Sequence, residues 1–254
     1  MEPVLQVEKL TKVFTRKGQP DFTAVDRIGF ALYPGECLGL IGESGSGKTT
    51  VVNLITRLLD PTEGRIVLDG EDITHLSGKA LRKAYREMQM VFQTPTDSFD
   101  PRRTLGDGIG ESLRNLGLSR AETRREVARL LTECGLTPDF ARRYPHQVSG
   151  GECQRAAIAR ALAVKPRLLI CDEATSSLDV TIQQEIIALL NELRARRGSE
   201  LSLLFICHDI ALVQQFCNRV LVLYKGQIVE QGIPDEVIRH PQDAYTRRLI
   251  DSIL

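Results

Sequence analysis

The sequence predicts an α/β fold: a parallel core interrupted by a helical insert. Three observations carry that expectation. A glycine-rich turn at residues 42–50 joins an apolar, strand-like run at 37–41 to the opening of a helical pattern. In the second half, short apolar runs alternate with helical patterns, which is the layout of parallel strands linked by crossover helices. Between these parts, from about Asp97 to Ala163, Arg, Glu, Leu and Ala recur at helical spacing.

The elements follow in order. Residues 4–7 alternate as a strand would, and residues 64–70 hold Ile66, Val67 and Leu68 between two glycines. Residues 88–92 read as a strand that ends at Gln93. The insert includes a helical pattern over 120–134, and Pro166 marks its far boundary. Residues 168–171 form an apolar run of buried-strand type. A long amphipathic helix follows, with Ile182, Ile186, Leu189, Leu190 and Leu193 as its apolar stripe. Then come a strand at 203–206, a helix at 210–217 and a strand at 220–223. No internal repeat or low-complexity segment interrupts the pattern.

Composition narrows the possible functions. Of 254 residues, 42% are hydrophobic and 26% charged, as in ordinary globular proteins. Lys plus Arg and Asp plus Glu number 33 each, which argues against nucleic-acid binding through bulk positive charge. No apolar run approaches the ~18–20 residues of a membrane span, and the first residues lack the basic-then-apolar layout of a signal peptide. A cytosolic location is expected, with any membrane work done through another subunit. The six cysteines include no C-x-x-C pair, so neither a zinc site nor a redox dithiol is expected; Cys37, Cys171 and Cys207 read as small buried hydrophobes.

The turn reads Gly42-Glu43-Ser44-Gly45-Ser46-Gly47-Lys48-Thr49-Thr50, filling every position of G-x-x-x-x-G-K-[ST]. Glycines remove Cβ atoms, so backbone N–H groups can converge on phosphate oxygens. The helix start adds partial positive charge behind them. Lys48 supplies a full charge for the outer phosphates, and the Thr49 hydroxyl is placed to ligate Mg²⁺. The expected ligands are therefore ATP and Mg²⁺. A chance Gly/Ser turn would lack the flanking strand and helix. At the end of the run 168–171 stand Asp172 and Glu173. A first carboxylate there suits Mg²⁺, and a second suits the polarising of an attacking water. Two acids at a strand end are common in α/β proteins; the pairing with residues 42–50 gives them meaning.

Residues 148–155, Val-Ser-Gly-Gly-Glu-Cys-Gln-Arg, closely resemble the L-S-G-G-Q-x-Q-R signature of ATP-binding cassette (ABC) ATPases. A serine and two glycines opening a helix make a second anion-binding helix start. The resemblance implies an α/β P-loop NTPase (RecA-like) core with an N-terminal antiparallel β subdomain and an inserted α-helical subdomain. In these terms 1–95 and 164–230 form the ATP-binding core with its β subdomain, 96–163 the signature subdomain and 231–254 a helical tail. It also implies a sandwich, in which Ser149, Gly150 and Gly151 of one cassette close over ATP held by the loop of another. Further family motifs follow in order. Gln93 matches the glutamine that touches Mg²⁺ and the catalytic water. Asp179, in Ser177-Leu178-Asp179, matches the loop that crosses the dimer interface. His208 matches the histidine that contacts the γ-phosphate, and Phe14 the aromatic that stacks on adenine. Without the other motifs, His208 and Phe14 would read as structural.

Within the family the sequence is similar to importer subunits of the peptide/nickel group. The clues are Ser98-Phe99-Asp100-Pro101-Arg102 with Thr104, Arg143-Tyr144-Pro145-His146, and His240-Pro241 followed by Tyr245-Thr246. Residues 216–220 look slightly more like nickel importers. Val148, Glu152 and Ala174 depart from the usual Leu, Gln and Pro, and Glu152 adds a carboxylate near bound nucleotide. Such subunits can carry a C-terminal cysteine-bearing extension; the sequence ends at Leu254 without one, so no iron–sulfur cluster is expected. The implied partners are a second ABC ATPase subunit, self or paralogue, two transmembrane permeases and an extracytoplasmic substrate-binding protein, with no nucleic acid. The implied location is the cytoplasmic face of the membrane, reached through permeases only. A chromosome or repair ATPase on the same cassette would place a long coiled coil between Thr49 and Ser149, and none is seen. A kinase or GTPase leaves residues 148–155 without a role. An ABC ATPase of an export or cell-division system is the remaining alternative.

Overall fold

The computed structural model describes residues 2–15, 18, 20–174 and 179–251. Its first strands are β1 (Leu5–Phe14), β2 (Phe22–Leu32) and β3 (Cys37–Ile41), and α1 (Lys48–Ile55) follows the glycine-rich turn. Next come β4 (Glu63–Leu68), β5 (Glu71–Asp72), α2 (Gly78–Glu87) and β6 (Met88–Val91). The helical segment holds α3 (Leu105–Asn115), α4 (Arg120–Glu133) and α5 (Gly150–Leu162). The chain then runs through β7 (Leu168–Asp172), α6 (Val180–Arg197), β8 (Ser202–Ile206), α7 (Ile210–Phe216), β9 (Arg219–Tyr224) and β10 (Gln227–Gly232). It closes with α8 (Pro234–Arg239) and α9 (Ala244–Asp251).

Two sheets result. One has the order β2-β1-β4-β5 and is antiparallel throughout. The other has the order β10-β9-β3-β8-β7-β6, parallel except for the β9–β10 hairpin at its edge. Strands β3 and β8 are buried along their whole length, and their unbroken apolar runs suit a sheet covered on both faces. Side chains alternate between two cores. Leu38, Leu40, Leu168 and Ile170 join the one shared with α1 and the antiparallel sheet. Cys37, Ile41, Leu169 and Cys171 join the other, with the helical segment, α6 and α7.

Several boundaries differ from expectation. Strand β6 stops at Val91, and Phe92 lies exposed at 37%. Helix α7 ends at Phe216 because Cys217 has already turned to extended backbone. On α6, Ile182 is only partly buried while Ile187 is fully inside, so the apolar face lies further along the helix than the stripe drawn from sequence. Strand β2 and the polar edge strand β10 add to the strands that the sequence pattern predicts. All six cysteines are buried thiols. Among the described residues, no helix is long and apolar enough to cross a membrane.

Candidate functional site

Parallel strands carry their functional residues to one edge. From the C-terminal ends of β3, β8, β7 and β6 the chain continues into residues 42–50, His208, Glu173 and Gln93 respectively. This is the edge where open parallel sheets bind ligands. The register confirms the alignment: Val91 lies opposite Cys171, and Asp172 opposite Ile206.

The loop at 42–50 is a cradle of amides. Gly42, Gly45 and Gly47 take φ of 155°, 82° and 111°, which side-chain-bearing residues rarely adopt. A Cβ on Gly42 would strike the Leu223 carbonyl, and one on Gly47 would approach the Ala24 carbonyl to 2.7 Å. The Ser46 N–H donates to Glu43 O (3.1 Å) and Val51 N–H to Gly47 O (2.9 Å). The first N–H groups of α1 have no acceptor within the helix itself, as at any helix start. No side chain caps α1, and no acid stands in its first turn. The β9–β10 turn braces the loop from outside, since Gly226 N–H donates to Ser46 O at 2.8 Å. Glu43, Ser44, Gly45 and Thr49 face solvent, with Thr50 half-buried.

Lys48 is buried, and its ammonium donates to Gly42 O (2.6 Å) and Glu43 O (3.0 Å). Burial lowers its pKa, against the pull of Glu173 and Asp172, which places both carboxylates within its electrostatic reach. Asp172 is pushed the other way: burial raises its pKa, Glu173 adds to the rise and Lys48 opposes it. One ammonium therefore faces two carboxylates, a deficit of positive charge that a divalent cation would fill. The chemistry of the residues suits Mg²⁺, with the Asp172 carboxylate and the solvent-facing Thr49 hydroxyl as candidate oxygen donors.

Glu173 sits at φ 47°, a strained conformation for a residue with a side chain. Its N–H donates to Ile206 O (3.1 Å), the ladder bond that closes the Asp172–Ile206 pair and fixes the backbone at the end of β7. His208 is exposed on the adjoining strand end, one residue after Cys207, which also feels Glu173. Gln93 is exposed two residues beyond β6.

The signature residues stand elsewhere. Ser149 caps α5: its hydroxyl accepts the Glu152 N–H (3.3 Å), and the Glu152 carboxylate accepts the Ser149 N–H (2.7 Å). Ser149 and Gly150 open to solvent, whereas Gly151 is buried, because a Cβ there would lie 2.6 Å from the Ile182 side chain. Gln154, fully buried on the same helix, donates its amide to Ala174 O just beyond Glu173. That bond ties the signature helix to the carboxylate strand, a link the motif reading did not assign. Asp179 caps α6, accepting the Ile182 N–H at 3.0 Å. Ser177 and Leu178 lie outside the described residues. Phe14 ends β1, half-buried opposite Phe22, with the Lys12 ammonium 5.3 Å from its ring. Tyr245 of α9 has no site role in the sequence pattern beyond its tail motif, yet its hydroxyl accepts the Glu43 N–H of the loop at 2.9 Å.

The family model described as "ABC transporter" matches residues 25–176. A glutathione import ATP-binding protein, GsiA, of Pectobacterium atrosepticum is 45% identical over 99% of this chain and 41% of its own length. The chain thus spans about two fifths of that relative. A putative peptide import ATP-binding protein of Brucella ovis is 42% identical, over 99% of this chain and 78% of its own. Among solved structures, cbiO1 from Clostridium perfringens, part of the ABC transporter complex cbiONQ, superposes with a TM-score of 0.84 at 29% identity. That match covers 94% of this chain and 92% of the other. A dimeric, post-hydrolysis cassette, MJ0796 bound to ADP and Pi, gives 0.81 at 29% identity over 91% and 98%.

Proposed function

Since this chain belongs to the ABC transporter family, we propose that it is the ATP-hydrolysing subunit of an importer that takes up small peptides. The single observation behind the reading is the open, glycine-lined start of α1, with Lys48 inside it and the Asp172–Glu173 pair facing it. In this reading the amides of residues 42–50 cradle the phosphates and Lys48 neutralises their outer charge. Phe14 stacks on adenine. Glu173 orients and deprotonates the attacking water, and His208 contacts the γ-phosphate. When bound, Mg²⁺ would be held by Thr49 and Asp172 with Gln93 beside it, and would neutralise charge on the phosphate oxygens. The start of α5, with Ser149, Gly150 and Gly151, closes over nucleotide held by a second cassette, and Asp179 lies at that junction.

The dimeric cassette caught with ADP and Pi supports such a sandwich, and the cbiONQ cassette supports assembly with other subunits. The partners we infer are a second ATPase subunit, two permeases and an extracytoplasmic binding protein. The chain would sit at the cytoplasmic face of the membrane through its permeases. Peptide is preferred over nickel because the relatives compared are named for glutathione and peptide import. Uptake of labelled tripeptide and of labelled nickel, in cells with and without this chain, tests the choice. Loss of tripeptide uptake alone is expected; loss of nickel uptake alone would contradict it.

A further inference from the structure

The peptide unit between Gly42 and Glu43 is gripped at both ends. Its carbonyl oxygen accepts the Lys48 ammonium at 2.6 Å. Its N–H, which belongs to Glu43, donates to the Tyr245 hydroxyl at 2.9 Å. A peptide unit is planar and nearly rigid, so fixing the N–H fixes the direction of the carbonyl. Here the fixing matters because the unit rotates next to Gly42, whose φ of 155° and missing Cβ leave its backbone many more states than other residues have.

The anchor is itself well held. Tyr245 is buried, at 4% exposure, and its ring stacks on Tyr224 with centroids 4.0 Å apart and planes 23° from parallel. Tyr224 ends β9, directly before the turn whose Gly226 N–H braces Ser46. The Asp243 carboxylate accepts the Tyr245 N–H (2.7 Å) at the start of α9. The Glu230 carboxylate of β10 accepts the N–H groups of Gln242 (2.9 Å) and Asp243 (3.0 Å). A helix some two hundred residues downstream is thereby locked to the hairpin and, through one hydroxyl, to the phosphate loop.

We propose that Tyr245 is a positioning residue for Lys48, acting through the Gly42–Glu43 peptide plane. The proposal rests on the assignment of ATP to this loop. With the hydroxyl in place, the lysine is held inside the cradle before nucleotide arrives. Without it, the peptide unit turns, the ammonium loses the shorter of its two carbonyl bonds and keeps only the one to Glu43 O, and only a fraction of chains present a competent loop. Apparent affinity falls by that fraction, whereas the rate of the fully loaded site does not.

Tyr245→Phe in the full chain removes the hydroxyl and keeps the stacked ring. ATP and ADP titrations by calorimetry should show dissociation constants raised about three- to tenfold. KM for ATP should rise by the same factor, with kcat at saturating ATP within about twofold. A variant with lower thermal stability but unchanged nucleotide affinity and KM would make Tyr245 merely structural and overturn the proposal. Hydrogen exchange on the unmodified chain gives a second arm: the Glu43 amide should exchange as slowly as the buried amides of β3. Exchange at the rate of an open loop would also overturn the proposal. If the unmodified chain binds no ATP, the nucleotide reading itself falls, and the proposal with it.

Discussion

Two helices in this molecule begin with glycine-rich turns, and they present opposite chemistry. Helix α1 starts after Gly47 with no capping side chain and no acid in its first turn. Helix α5 starts after Ser149 with a reciprocal cap, in which Ser149 and Glu152 satisfy each other's backbone N–H groups. The same dipole and the same spare donors exist at both ends. At α1 they are left open, and a lysine is added. At α5 the cap engages two of them, the Glu152 carboxylate on the Ser149 N–H and the Ser149 hydroxyl on the Glu152 N–H, and places a negative charge beside the rest. The difference teaches that the two ends have different jobs. In the proposed function the first receives phosphate within its own cassette, while the second meets phosphate held by another cassette, with the Glu152 carboxylate at that junction.

The largest way to break that contrast is Lys48→Ala. Removing the buried ammonium should weaken ATP binding about a hundredfold; calorimetry showing near-normal affinity would mean that the α1 end is not the receiver. Glu173→Gln comes next. It should leave ATP binding intact and cut steady-state hydrolysis by about a hundredfold or more, the usual worth of a general base. Glu152→Gln sharpens the contrast at the other end, because glutamine keeps the cap and drops only the charge. ATP-driven association of cassettes, read by sedimentation, should tighten about two- to fivefold. Glu152→Ala should instead lose about 1 kcal/mol of stability with the cap. Equal behaviour of the two variants would show that charge is irrelevant there.

The smallest effect concerns stability and pH. Asp172 has a pKa raised chiefly by burial, then by Glu173. A carboxyl raised in the fold stabilises most below its unfolded pKa, and that contribution is lost as pH climbs through the higher folded value. The nucleotide-free chain should therefore gain from Asp172→Asn at pH 7, by roughly 2 °C in Tm, and this gain should vanish near pH 3. A Tm lowered at pH 7 would mean that the ionised carboxylate is welcome in the empty site.

How much of this was legible in the sequence depends on the range of each interaction. The phosphate loop and the carboxylate pair could be read because glycine spacing and strand endings are local. The β3, β7 and β8 strands announced themselves as unbroken apolar runs. What escaped is long-range or marginal. Strand β10 is a polar edge, half-exposed, whose pairing with β9 leaves no periodic trace. The Gln154–Ala174 and Tyr245–Glu43 bonds join residues 20 and 202 positions apart, and no local pattern encodes either partner. The stripe on α6 follows hydrophobicity alone, and hydrophobicity does not separate Ile182, which lies against Gly151 of α5 yet stays partly exposed near the helix start, from Ile187, which is buried further along.

Hydrogen exchange at the two helix starts tests the central claim most directly. With ATP added, at a concentration where the chain sediments as a monomer, the amides of residues 45–49 should slow by at least about tenfold. Those of residues 149–151 should stay unchanged. Slowing at 149–151 in the monomer, or none at 45–49, would contradict the division of labour between an open helix end and a self-capped one.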